Sequence, residues 1–148
     1  MAKDRPPFDR SRLSLRRRTH LGSSRDAINL AVQQTMEHLG SICSREDVMA
    51  DLEIVLREGL ANAALHGNQA AETKSVFLRF YGSREQGLWI AIRDEGSGFD
   101  PDAVPDPRGE DRLLLHHGRG IFLMQQLVDD IEYRKGGTEL LLYKAPPI

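Results

Sequence analysis

The chain has a single cysteine, Cys43, so an internal disulfide framework and a multi-cysteine zinc site are both excluded. It has no apolar run approaching the roughly 20 residues that a membrane-spanning helix needs. Its opening residues, MAKDRPPFDR, hold charge and proline but no apolar segment, so no secretory signal is expected. Neither sign of charge dominates: 20 basic residues face 22 acidic ones, a net charge of -2, which gives no global case for nucleic-acid binding. Internal repeats and low-complexity tracts are missing. The five histidines (His20, His38, His66, His116, His117) show no H-E-x-x-H spacing, and there is no G-x-x-x-x-G-K-[ST] phosphate loop. Ser97 lies in Gly-Ser-Gly rather than in a G-x-S-x-G elbow, so no serine nucleophile is indicated. What remains in 148 residues, 40% hydrophobic and 28% charged, is a cytoplasmic single domain with one core.

Pro6, Pro7 and the charges around them make residues 1–12 a flexible tail, and the domain is expected over 13–148. Alternation of Leu13, Leu15, Arg17, Thr19 and Leu21 predicts an edge strand over 13–21. Seven basic residues precede residue 19; without interleaved aromatics they read as a solvated edge rather than a nucleic-acid arm. Ser23 and Ser24 are candidate N-caps for a helix whose apolar stripe is Ile28, Ala31, Val32, Thr35, Met36 and Leu39, ending at Gly40. A second helix is expected from Ser44 to about Leu65, stopped by Gly67, with Val48, Leu52, Val55, Leu56, Leu60 and Ala63 inward. Strands follow at 75–81 and 88–93, then a bend at 94–99 and a long loop at 100–117 containing Pro101, Pro105 and Pro107. A third helix opens at Gly118-Arg119-Gly120 and runs to about Val128, before a hairpin of 130–134 and 138–143 around Gly136-Gly137. Cys43, Trp89, Phe122, Met124 and Leu127 read as packing residues. This order predicts an α+β two-layer sandwich, with helices on one face of a mixed, mostly antiparallel sheet.

Three segments carry chemistry. Glu58, Asn62 and His66 recur every four residues, which on a helix puts them on one ridge; a carboxylate there suits general-base work and a carboxamide oxygen suits a hard cation. Asp94-Glu95-Gly96-Ser97-Gly98 follows an apolar strand, so its glycines let the backbone approach a flat ligand while Asp94 offers a carboxylate to an amino group. Gly118-Arg119-Gly120 feeds a helix N-terminus, whose free amides and dipole suit phosphate. Each segment alone has a bland alternative: a solvated ridge, a glycine turn, a hinge. Together they supply what an ATP site without a phosphate loop needs.

With these motifs the chain resembles the GHKL ATPases, the superfamily of DNA gyrase, the heat-shock chaperone ATPase, sensor histidine kinases and MutL. EIVLREGLANAALHGN (53–68) is similar to their N box, DEGSGF (94–99) to the first glycine box, GRGIFLMQQLVDDI (118–131) to the second, and Gly137-Thr138 to a further G-T step. The local flavour is that of the stand-alone anti-sigma-factor serine/threonine kinases of RsbW type. The resemblance covers about residues 13–144 and implies a Bergerat-type ATPase fold. It implies Glu58 as general base, Asn62 as the ligand of Mg2+, and Asp94 as the hydrogen-bond partner of adenine, with Gly96 and Gly98 letting the base lie close. It further implies residues 100–117 as a lid over ATP, phosphate contacts from Gly118, Arg119 and Gly120, and Thr138 joined to the Asp94–adenine network. The partners it implies are a sigma factor, a STAS-type antagonist as phosphorylation substrate, and a second copy in a homodimer, with no direct nucleic acid and no membrane. Some kinase members carry an arginine just before the second glycine box; His116 and His117 stand there, and an unperturbed histidine is mostly neutral at pH 7.

Overall fold

The computed structural model describes residues 9–98 and 116–148. Among these residues five strands, β1 (Leu15–Gly22), β2 (Ser75–Ser83), β3 (Gly87–Arg93), β4 (Asp130–Arg134) and β5 (Glu139–Lys144), form one sheet in the order β1-β2-β3-β5-β4. Every described pairing is antiparallel, so the expected mixed character does not extend to a parallel pair among the described residues. Among the described residues three α-helices, α1 (Arg25–Leu39), α2 (Glu46–Ala61) and α3 (His116–Leu127), supply the second layer of this α+β sandwich. Among the described residues no helix is long and apolar enough to cross a membrane.

Local chemistry accounts for most boundaries. The Ser24 hydroxyl accepts from the Ala27 amide at 3.1 Å, which caps α1, and the predicted stripe of Ile28, Ala31, Val32, Thr35 and Leu39 is buried. The α2 cap falls on Arg45 rather than Ser44 and makes no side-chain bond to the helix amides; instead the guanidinium pairs with Asp47 in the first turn at 2.6 Å. Cys43 is buried, and burial pushes its thiol above the ordinary value. Residues 9–12, expected in the tail, form a turn in which the Asp9 carboxylate accepts from the Ser11 amide at 2.9 Å. The Gln86 side chain holds the Asp9 backbone, accepting from its amide at 3.2 Å and donating to its carbonyl at 3.0 Å.

The main core lies between helices and sheet. Val32, Leu39, Val55, Leu56, Leu60, Val76, Leu78 and Met124 are fully buried there. Met124 thus packs as expected and half-buried Leu127 packs against the same core, whereas Phe122, also half-buried, is not among the hydrophobics packed against it. In β1 only Leu15 and Leu21 are buried; Arg17 and Thr19, predicted on the same side, are exposed because an edge strand is covered only near its ends here. Trp89 is buried too, but in a second cluster on the opposite sheet face with Ala91, Leu141 and Tyr143.

Candidate functional site

α2 does not run unbroken to Leu65. After Ala61 the chain widens into a π-helical turn, Asn62–Gly67, where the Asn68 amide reaches back five residues to the Ala63 carbonyl at 2.8 Å. Such turns rotate side chains off the regular helical ridge and recur at functional sites. The buried Asn68 side chain secures the end of the turn. Its amide donates to the Ser75 carbonyl at 2.9 Å, and its oxygen accepts from the Glu95 amide at 2.7 Å. One residue therefore ties the turn to the start of β2 and to the bend after β3. The Glu95 carboxylate completes that tie by accepting from the Ser75 amide at 2.7 Å.

The bend carries Asp94, whose amide donates to the Thr138 carbonyl at 2.9 Å and whose carboxylate accepts from the Gly96 amide at 2.8 Å. Burial pushes the Asp94 carboxyl above its ordinary value, opposed by the Gly96 bond and by the Lys74 ammonium. Gly67 faces the Asp94 carboxylate and Gly96 faces the Gly67 carbonyl so closely that a Cβ at either would collide. Gly98 has φ +80 and abuts the Gly136 carbonyl. The Thr138 hydroxyl donates to the Lys135 carbonyl at 2.8 Å, so the tie to Asp94 runs through the Thr138 main chain.

These pieces enclose a cavity of about 200 Å³. Its floor is apolar, with Gly59, Ala63, Ile92, Ile121 and Leu140; its polar rim includes Asn62, His66, Gln69, Asp94, Ser97, Tyr133 and Thr138. Asn62 also belongs to a second contact. A Cβ built on Gly120 in α3 would sit 2.9 Å from the Glu58 carboxylate and 3.0 Å from the Asn62 amide nitrogen. Glu58, Asn62 and Gly120 thus meet at one point, with Glu58 beside the cavity rather than in its wall. An apolar slot ending in a carboxylate takes a flat heteroaromatic ring bearing an amino group.

The predicted site residues Asn62, Asp94, Gly98 and Thr138 line this cavity, and Glu58, Gly96 and Gly120 adjoin residues that do. Gly118 and Arg119 lie in the first turn of α3, which begins at His116, two residues before the expected opening. Of the expected lid at 100–117, residues 100–115 lie outside the described residues, while 116 and 117 are helical. Tyr133 went unrecognised in the sequence. It is half-buried in β4, and burial pushes its phenol well above the ordinary value. Its strand position alone carried no signal; the inward alternation of Ile131 and Tyr133 in a hairpin strand was the available clue.

Helices backing an antiparallel sheet, with a pocket of about 200 Å³ where an interrupted helix meets a glycine bend, define the class as an ATPase-type α+β sandwich. A family model described as the histidine kinase-like ATPase domain matches residues 22–144, and the chain belongs to that family. It is 29% identical over 89 residues to an anti-sigma F factor of Halalkalibacterium halodurans, an alignment covering 58% of this chain and 60% of the relative. In fold it is similar to the histidine kinase domain of the blue-light activated histidine kinase of Erythrobacter litoralis. That likeness has a TM-score of 0.51 and 18% identity over 80% of this chain and 58% of that one. The chain thus spans about three fifths of the length of the relatives it matches.

Proposed function

We propose that the cavity binds ATP with Mg2+ and that the chain is a protein serine/threonine kinase and anti-sigma factor. In this reading it phosphorylates a STAS-type antagonist and sequesters a sigma factor. The observation that carries it is the double role of Asn62, which lines the cavity and also touches the Glu58–Gly120 contact. One residue thereby links the proposed base-binding slot to a carboxylate beside it. Asp94 accepts the adenine amino group, Gly96 and Gly98 let the base lie close, and the Thr138 carbonyl holds the Asp94 main chain. Gly118, Arg119 and Gly120, at the start of α3, meet the phosphates.

Among the described residues no group of three or more His, Cys, Asp or Glu could hold a metal. Mg2+ needs no such cage, because it keeps several waters and is bound chiefly through phosphate oxygens and one or two protein ligands, here Asn62. When bound it neutralises phosphate charge. Glu58 takes the proton of the substrate hydroxyl, the hydroxyl oxygen bonds to the γ-phosphorus, and the bond to ADP breaks. The family match and the anti-sigma F factor relative support this assignment.

The test is to mix the full chain with labelled ATP, Mg2+ and candidate STAS-type proteins and to follow phosphoserine. Glu58→Ala is expected to lower transfer by about a hundredfold or more while ATP affinity stays within a few fold. Unchanged transfer in that variant removes Glu58 from the role. A second reading, a nucleotide-gated partner-binding regulator with little turnover, is favoured by one observation: His116 and His117 stand where some kinases of this type carry an arginine. Saturable ATP binding without phosphoserine on any candidate selects it.

A further inference from the structure

The cavity draws residues from β3, β4 and β5 but none from β1 or β2. The far edge of the sheet is a different surface. β1 is the end strand, paired only with β2 among the described residues, and Arg16 through His20 are all exposed. The register sets Arg16 opposite Tyr81 and Arg18 opposite Arg79 on the sheet face away from the helices, while Arg17 opposes Phe80 on the helix side. Cations therefore project from both faces of a single edge. No acidic residue occurs between Arg10 and Gly22, and none of Arg16, Arg17 and Arg18 has an ion-pair partner among the described residues.

Two grooves flank this edge. One, of about 740 Å³, is lined by Arg10, Arg16, Arg17, Arg18, Arg79 and Tyr81 among others. The other, of about 480 Å³, shares Arg18 and Arg79 and adds Arg93 and Lys135. Its acid, Glu139, is buried and already engaged by Arg79 at 3.6 Å and Lys135 at 3.7 Å. In a chain of net charge -2, Arg16, Arg17 and Arg18 form a local concentration of arginine without an acidic partner among the described residues.

We propose that β1 is a docking edge for an extended acidic segment of a partner protein, which adds a sixth strand to the sheet. An edge strand offers main-chain groups that another strand satisfies. A nucleic acid matches the charge but has no strand ladder, and the aromatics on this face are already engaged: Trp89 and Tyr143 are buried, half-buried Tyr81 is stacked on Trp89, and the Arg93 guanidinium lies over the half-buried Phe77 ring. A second copy matches the ladder but sets one arginine run against another, like charge opposite like. An acidic strand satisfies both demands.

The experiment uses the full chain and a labelled synthetic peptide of about ten residues alternating glutamate with valine and threonine, the pattern of a half-charged strand. Fluorescence anisotropy reads affinity, and amide hydrogen exchange reads β1. The expected result is saturable binding, slowed exchange of β1 amides, and about tenfold or greater weakening when Arg16→Glu, Arg17→Glu and Arg18→Glu are combined. Thermal melting checks that this variant folds; should it not, Arg17→Gln alone is expected to weaken the peptide by a few fold. Equal affinity for a glutamine-for-glutamate peptide overturns the proposal. So does tighter binding of a single-stranded oligonucleotide of equal charge, or unchanged β1 exchange. Absence of any binding also overturns it and leaves the arginines as a guard against edge-to-edge aggregation.

Discussion

A half-buried carboxylate gives up hydration that only a donor or a ligand restores. Asp94 recovers part of it from the Gly96 amide and the rest remains a cost. Because its folded value lies above the ordinary 3.8, the folded chain holds more proton than the unfolded chain just above that pH. Stability therefore falls as pH rises through that window, and the charged form at neutral pH is a destabilising one. Asp94→Asn keeps an acceptor for Gly96 and removes the charge. Its melting temperature at pH 7 is expected to exceed that of the parent, with the difference closing as pH drops below the carboxylate range. ATP affinity is expected to fall by about ten- to a hundredfold, the worth of a charge-assisted hydrogen bond. Calorimetry on both proteins reads the two effects, and loss of both together removes Asp94 from base recognition. Gly120→Ala separates site from scaffold in a similar way. The added methyl displaces the Glu58 and Asn62 side chains, while alanine is favoured over glycine in a helix by about 1 kcal/mol. Phosphoryl transfer is expected to drop at least about tenfold without a lower melting temperature; a loss of stability instead would mean the helix itself is strained.

At the level of elements, the π-helical turn depends on Asn68. Asn68→Ala removes the partner of the Ser75 carbonyl and of the Glu95 amide, both part-buried bonds, each costing up to about 1–3 kcal/mol. Urea denaturation is expected to show a loss of about 2–5 kcal/mol with an unchanged slope. A loss below about 0.5 kcal/mol, the level of an ordinary surface change, would mean that the tie is dispensable. This element also marks where the sequence was readable and where it was not. Apolar periodicity located α1, most of α2, β1 and β2, because burial of one face leaves its period in the residue order, while a continuous apolar run located β3 and the Gly136-Gly137 turn located β4 and β5. The spacing of Glu58 and Asn62 foretold their meeting, since they are four apart within or just beyond α2. The extra residue in each π turn after Asn62 left no such trace: NAALHG has ordinary helical composition, and the widening answers to Asn68, Gly67 and Asp94 packing together. Tyr133 was hidden for a related reason, since a half-buried strand residue acquires a role only when another strand and a helix close over it.

For the molecule as a whole, a ligand that binds only the folded state raises stability by mass action, about 2.7 kcal/mol at a hundred times its Kd. ATP with Mg2+ is expected to raise the melting temperature accordingly, and chelation by EDTA to remove most of that rise. Asn62→Ala should show a small rise that EDTA no longer changes; an EDTA effect of parental size there would take the cation away from Asn62. The two apolar clusters bear on how such shifts are observed. The larger one joins helices to sheet and touches the cavity through Ile92, Ile121 and Leu140. The smaller one holds the chain's lone tryptophan, Trp89, stacked on Tyr81 at 5.7 Å and tilted against Tyr143 at 4.7 Å on the sheet's other side. Its indole is thereby a built-in optical gauge of the β-layer, so its emission can clock unravelling without a dye.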